Sequence, residues 1–212
     1  MKEIRFDLHV HSHYSNDCKS KPEDIIKEAK NRGLAGLAIT DHNSIKFHQN
    51  GHNDDQLIIV PGVEISTKSG HIIGLGIKET IQKYLTIEET IEKINDQNGL
   101  PIASHPFDFT RKGIGKKIYG LKEIVVETMN GASPFNSFNV KAQKWAEKAK
   151  LPVTGGSDSH RVKDIGMAYT ILEQEITTLD ELIELIRKRK TKSAGTHLSL
   201  YEKIIRAFQI HL

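Results

Sequence analysis

Side chains that can hold a metal ion or move a proton recur along this chain where apolar runs end. The first run reads Asp7-Leu8-His9-Val10-His11 and continues through Ser12, His13, Tyr14, Ser15 and Asn16 to Asp17. Alternate residues of an extended strand share a face, which puts Ile4, Phe6, Leu8 and Val10 on one side and Asp7, His9 and His11 on the other. Two imidazoles beside a carboxylate point to metal coordination, because neutral imidazole is the commonest metal ligand. The theme returns four times. Leu34–Thr40 ends on Asp41-His42, Pro61-Gly62 leads to Glu64, Pro101–Ser104 delivers His105, and Gly155-Gly156 precedes Asp158 and His160, while His71 opens the run at 70–76. One histidine on a strand, or one Asp-His pair after it, is more often a satisfied core or turn residue. Repeated acid and imidazole at successive strand ends does not suit a dry core, where unpaired charge costs several kcal/mol.

The elements that must position these groups follow from capping and periodicity. Ser20/Glu23, Thr86/Glu89, Thr178/Glu181 and Ser199/Glu202 have the spacing of capping boxes. Apolar residues follow each at helical spacing, the last over Ile204, Ile205 and Phe208, which predicts a docked C-terminal helix. A further helix is expected over 139–150, with Trp145 in the core. Strands are expected at 57–60, 124–126 (ending on Glu127), 151–154 and 165–172 besides those above. Residues 43–56 contain Asn50-Gly51 and read as a loop, with His48 and His52 on solvated surface. Residues 107–120, rich in glycine and cations, read as a mobile loop. Strands alternating with helices predict an α/β domain with a largely parallel sheet, open or closed as a barrel, whose strand ends form one rim.

Composition sets the remaining bounds. A chain of 212 residues suits one domain, with the motifs over 7–172 and helices over 179–212. Thirty basic and 27 acidic residues leave a net charge of +3, too weak for a nucleic-acid coat protein and compatible with a phosphorylated substrate. The single cysteine, Cys18, excludes an internal disulfide and a cysteine-based zinc knuckle, and reads as a bystander thiol. The charged start of the chain has no apolar leader region, and no apolar run approaches the length of a membrane span. A cytoplasmic protein with no membrane association and no obligate protein partner is expected.

The segments DLHVH, ITDH, PGVE, GHIIGLG, SHPF and GGSDSH, in this order from residue 7 to about residue 172, resemble the signature set of the PHP (polymerase and histidinol phosphatase) family of metal-dependent phosphoesterases. The resemblance implies a distorted (β/α)7 barrel and up to three divalent metal ions. By position it implies that His9, His11, Glu64 and Asp158 hold the first metal, that Glu64 bridges to a second completed by His71 and His105, and that Asp17, His42 and His160 hold the third, with Asn16 as the alternative to Asp17. Asp7 and Asp41 are then expected to orient imidazoles through their ring N–H groups. Glu64, Asp41 and His160 are the candidate catalytic residues. Arg161, His13 and Lys112 are candidate substrate contacts. Arg161 is preferred among the cations because it directly follows the last motif, and Arg111, Lys116 and Lys117 are further candidates. His197 and His211 match no motif and read as surface residues. Six histidines with three carboxylates suit zinc, manganese or iron better than calcium.

The expected activity is hydrolysis of a phosphate ester by a metal-bridging hydroxide. The expected substrate is a small phosphomonoester or nucleotide, or the end of a short oligonucleotide. Two other classes stay open. A hydrolase of the amidohydrolase type also opens with two histidines on its first strand, but a bridging lysine would stand where this chain has Glu64. A non-catalytic metal-binding or ribonucleoprotein-type subunit of the same fold would typically have lost ligands, whereas all nine are present here.

Overall fold

Local signals account for most of the helices in the computed structural model, which describes residues 3–199 and 201–202. Helix α1 (Pro22–Asn31) starts on proline, α2 (Lys46–Gln49) is a single turn, and α4 (Asn136–Ala149) ends on Lys150 in the left-handed region. Helices α3 (Ile87–Asn95) and α5 (Leu179–Arg187) both begin with complete capping boxes, Thr86/Glu89 and Thr178/Glu181. The Ser20/Glu23 box does not form. Lys21 is the residue before α1, and Ser20 instead turns inward, where its carbonyl accepts from the His13 N–H. The reciprocal Ser199/Glu202 bonds are present. The apolar stripe expected beyond them, and His211, lie outside the described residues. No described helix is long and apolar enough to cross a membrane.

The strands are β1 (Ile4–Val10), β2 (Gly36–Ile39), β3 (Ile58–Thr67), β4 (Gly70–Leu75), β5 (Leu100–Ala103), β6 (Val125–Asn130), β7 (Val153–Gly156), β8 (Ala168–Leu172) and β9 (Thr191–Gly195). They form one sheet in the order β7-β6-β5-β4-β3-β2-β1-β8-β9. Among these neighbours four pairings are parallel and four antiparallel, so the sheet is mixed and not largely parallel. The physical reason lies in the connections. Only Lys68 and Ser69 separate β3 from β4, too few residues for a crossover, so the two strands must run antiparallel. Strand β9, absent from the sequence-based expectation, adds a second antiparallel ribbon on β8.

The sheet curls until its ends meet. Beyond β7, Asp158 N–H donates to the His9 carbonyl at 2.7 Å and His11 N–H to the Ser159 carbonyl at 3.0 Å. Thr170 accepts from the N–H of Gly155 and donates to its carbonyl, and Thr191 donates to the Val153 carbonyl. The result is a nearly closed, distorted barrel. Helix α5 plugs one end: Leu182, Ile183, Leu185 and Ile186 pack with Phe6, Leu8, Val60, Leu75, Leu100 and Ile102. Each such side chain contributes about 1.5–3 kcal/mol by burial. Arg187 donates to the Gly99 carbonyl there, where β5 begins, which leaves the opposite rim for chemistry.

Strand β1 departs from simple alternation. Phe6 and Leu8 belong to the cluster under α5, but Val10 packs with Ile25 and Ala29 of α1, and the pairing with β2 slips between Asp7 and Val10. An irregularity of this kind re-aims side chains, and here it separates Asp7 from the two histidines. Two loop expectations also change. His48 is half-buried, receiving the Gly62 N–H at 3.2 Å and lying 3.1 Å from the Ile39 carbonyl, while His52 meets the Tyr14 hydroxyl. Residues 107–120 fold into two short 3-10 turns that bury Ile114 and Ile118, which anchors the segment instead of leaving it loose.

Gly156 sits at the seam, where an added Cβ would meet the His9 side chain and lie 2.6 Å from its backbone nitrogen. Gly156→Ala is expected to lower stability by about 1–3 kcal/mol, the usual cost of overpacking. Thr178→Ala, which removes only a helix cap, should cost about 1 kcal/mol. Urea unfolding followed by circular dichroism ranks the two.

Candidate metal centre

The loops leaving β1, β2, β5 and β7, with residues within β1, β3 and β4, converge at the open rim. Four atoms form the deepest group. His9 Nε2 lies 3.2 Å from His11 Nε2, 3.6 Å from Glu64 Oε2 and 3.5 Å from Asp158 Oδ1, and His11 Nε2 lies 3.5 and 3.3 Å from the same two oxygens. All four residues are buried. A tetrahedron of ligands each about 2.1 Å from a central ion has edges of about 3.4 Å, and these separations cluster around that length.

The outer hydrogen bonds determine which way the two imidazoles face. His9 Nδ1–H donates to Glu127 Oε1 at 2.8 Å. Ser15 spends its one proton on Asp41 at 3.1 Å, so at 3.2 Å it accepts from His11 Nδ1–H. Both rings therefore direct an Nε2 lone pair at the same point, and only a proton or a cation can relieve their opposition. Asp158 Oδ1, aimed at that point, is buried with no hydrogen-bond partner among the described residues. The donor set fits a divalent cation. Without one, a proton takes its place: burial opposes a charged His9, but Asp158, Glu127 and Glu64 overcome it and hold its pKa well above the usual histidine value. His11, equally buried and beside cationic neighbours, is pushed down to about 3. Glu64 and Asp158 stay well below the usual carboxylate range despite burial, Glu64 through His9 and His71, Asp158 through Arg111 and His9.

Glu64 turns its second oxygen away from this group. Oε1 lies 3.1 Å from His71 Nδ1 and 2.9 Å from His105 Nε2. Nearer solvent, Asp17 Oδ2 lies 3.4 Å from His42 Nε2 and 3.2 Å from His160 Nε2, and these two contacts hold its carboxyl well below the ordinary range. Of Asn16 and Asp17, it is Asp17 that reaches the imidazoles. His42 Nδ1 also lies 3.0 Å from Glu64 Oε2. Burial opposes charge on His42, but Asp17 and Glu64 raise its pKa to about 10. Trios such as His9-His11-Glu64, His42-Glu64-His71 and His11-His42-His160 each bring three ligand atoms within 4.8 Å of one another. Together with His9-His105-Asp158 they overlap across eight residues, and Asp17 joins through His42 and His160, so the nine form one continuous cluster.

Two of these residues hold unfavourable backbone. His105 and Asp158 have φ of 33° and 52°, a region that costs about 1–3 kcal/mol outside glycine. Each is tied down at its nitrogen, His105 by Glu127 Oε2 at 2.6 Å and Asp158 by the His9 carbonyl.

A cleft of about 310 Å³ opens over Asp17, His42, Glu64, His71, His105 and His160, and Thr110, Arg111 and Lys112 complete its wall. A larger cavity of about 700 Å³ lies at the plugged end beside Gly33–Ala35 and Glu175–Thr177, with no imidazole in its lining.

Several roles read from the sequence change. Asp7 touches no imidazole ring among the described residues; it accepts backbone N–H groups of His9, Ser157 and Gly166, and burial raises its pKa to about 6. Asp41 accepts from Ser12 and Ser15 and reaches His11 only through the Ser15 hydroxyl, so it is not placed for direct catalysis. The guanidinium in the site is that of Arg111, with Nη2 2.6 Å from Asp158 Oδ2, whereas Arg161 is not among the residues lining the cleft. His13 is exposed with its ring tilted against that of Tyr14 and does not line the cleft, whereas Lys112 does. His197 is half-buried against the Ser133 carbonyl. The residue that sequence reasoning passed over is Glu127, buried and shared among His9, His105 and Asn130. Its signal was an acidic residue at the end of an apolar strand, the same signal that marked Asp41 and Glu64.

Comparison with known proteins bears on this arrangement. A family model described as PHP-associated matches residues 136–191. The uncharacterized protein MJ1587 of Methanocaldococcus jannaschii is 37% identical over 149 residues, covering 64% of this chain and 84% of that protein. The fold is similar to a two-domain protein of Bacteroides vulgatus containing a predicted PHP-like metal-dependent phosphoesterase (TM-score 0.71, 18% identity, 92% of this chain and 65% of that one). It is also similar to a lesion-specific endonuclease of Pyrococcus furiosus (TM-score 0.64, 19% identity, 92% of this chain and 59% of that one).

Glu127→Gln should exchange the acceptor for His9 Nδ1–H for a group that can also donate. Metal affinity is expected to fall about 10- to 100-fold, as for other partners of ligating imidazoles. Titration against a chromophoric chelator measures this.

Proposed function

The chain belongs to the PHP family, and on that premise we propose that it is a metal-dependent phosphoesterase that hydrolyses a phosphate ester bound in the cleft over Glu64. The observation that carries this reading is the pair of opposed Nε2 lone pairs on His9 and His11, closed in by Glu64 and Asp158 and lying under a cleft walled by Arg111 and Lys112. In this proposal His9, His11, Glu64 and Asp158 hold one divalent cation, Glu64, His71 and His105 a second, and Asp17, His42 and His160 a third. Bound cations would supply Lewis acidity and a more acidic water at neutral pH. The nitrogen-rich donor set favours zinc, manganese or iron.

The chain's own residues do the rest. Glu64 gives one oxygen to each of two neighbouring groups and so sets their spacing. Glu127 and Ser15 hold the His9 and His11 rings in the orientation that keeps Nε2 inward. Arg111 and Lys112 face the cleft and neutralise phosphoryl oxygens, Arg111 with a planar fork suited to two of them. Asp41 anchors Ser12 and Ser15, and through them the turn that carries His11 and Asp17.

A panel of phosphate mono- and diesters, assayed after chelation and after readdition of each metal, tests the proposal. Turnover is expected to vanish on chelation and return with zinc, manganese or iron. Glu64→Ala should lose bound metal together with more than about 100-fold of turnover, beyond the range set by outer partners. Full activity with unchanged metal content in that variant would sink the reading. Arg111→Ala should raise KM about 10- to 100-fold, the value of a lost charge-assisted hydrogen bond.

A further inference from the structure

One surface beside the cleft is not used by the metal cluster. Phe109 is 77% exposed, Phe135 is 43% exposed, and Phe138 stands between them with ring centroids 5.5 and 5.7 Å away, both edge to face. Exposed phenyl rings gathered in one place mark interaction surfaces more than lone ones do. Phe109 comes from the segment after β5, Phe135 ends the loop after β6, and Phe138 lies in the first turn of α4, all at the catalytic rim. Asp108 joins those loops by accepting the Ser133 hydroxyl at 2.8 Å, and it also accepts the Thr110 N–H. Gly113 lies so close to the His105 and Pro106 carbonyls that a side chain there would collide with them. Phe109 is therefore held out by a tightly folded segment.

The same segment joins the rings to the cleft. Phe109 is followed by Thr110, Arg111 and Lys112, all of which line the cavity over Glu64, His71 and His105. A hydroxyl and two cations thus follow the exposed ring one, two and three residues on. A ligand matched to both features carries an anionic phosphate and, a sugar's length away, a flat π system. Resting on the phosphoesterase reading above, we infer that Phe109, supported by Phe138 and Phe135, is a stacking platform for the base of a nucleoside phosphate whose phosphate enters the cleft beside Arg111. Stacking on an aromatic side chain is sequence-tolerant, and its removal typically weakens binding about 5- to 150-fold per base.

The test compares adenosine 5′-monophosphate, a 5′-phosphorylated single-stranded pentanucleotide and ribose 5-phosphate, which lacks the base. Turnover by the metal-loaded protein and equilibrium binding by calorimetry are both measured, for the wild type, Phe109→Ala and Phe109→Trp. The wild type is expected to prefer the two base-containing ligands. Phe109→Ala should reduce that preference about tenfold, and Phe109→Trp should preserve or increase it. Preference for the pentanucleotide over the mononucleotide would identify a strand end as the source, and the reverse a free nucleotide. The thermal unfolding midpoint of Phe109→Ala should fall by no more than about 2–4 °C, because the exposed ring gives up only its edge-to-face contact with Phe138. A larger fall would mean that protein covers the ring, and would overturn the platform. So would equal treatment of base-containing and base-free ligands in both assays. Base-dependent binding through Phe109 without hydrolysis of any ester would instead overturn the phosphoesterase reading and leave the platform standing.

Discussion

Three carboxylates, Glu64, Glu127 and Asp158, leave water together at the rim of this barrel, each no more than 2% exposed. Burying one unpaired carboxylate is costly enough to change its protonation, and burying three within one network demands compensating positive charge. Arg111 supplies one permanent cation, 2.6 Å from Asp158. The remaining titratable partners are imidazoles, which with their ordinary pKa of about 6.5 are mostly neutral at pH 7. The protein therefore holds a charge deficit that it can satisfy by protonating His9 or by binding metal, and the lone-pair geometry around His9 and His11 accepts either. Most other features of the rim follow from this requirement.

The scaffold meets it by separating stability from chemistry. Leucines and isoleucines of α5 plug one end of the barrel, while His105 and Asp158 carry their strained backbone at the other. The strain is contained because each of these residues is tied at its nitrogen by a short hydrogen bond. Closure of β7 against β1 is the decisive contact. The bond from Asp158 to the His9 carbonyl is what brings residues 149 positions apart in the chain into one cluster.

Much of this was legible in the sequence, and the misreadings have common causes. Histidines and acids at strand ends were visible because strand periodicity and the sequence order of the motifs are both local. Antiparallel β4 and the added β9 were missed because pairing direction depends on connection length and on which edge remains free, not on composition. Asp7 was read as an imidazole partner because strict alternation put it beside His9. The irregularity in β1 sends it to backbone N–H groups instead. Arg161 was preferred for its place in the sequence, yet Arg111, reached through a folded loop that reads as formless, occupies the cleft. Glu127 carried the same signal as Asp41 and Glu64 but fell between motifs.

The sequence by itself determined the kinds of atoms available: six imidazoles and three carboxylates at strand ends, the helices that brace them, and the family resemblance that orders them. These depend on local periodicity and residue chemistry, which a linear string carries in full. Tertiary structure alone decided which oxygen of Glu64 faces which histidine, that both Nε2 lone pairs point inward, and that Arg111 and an exposed phenylalanine face lie beside the cluster. Those facts depend on how β7 meets β1 and how two rim loops interlock through Asp108 and Ser133. Long-range contacts set ångström distances, and no spacing along the chain encodes them.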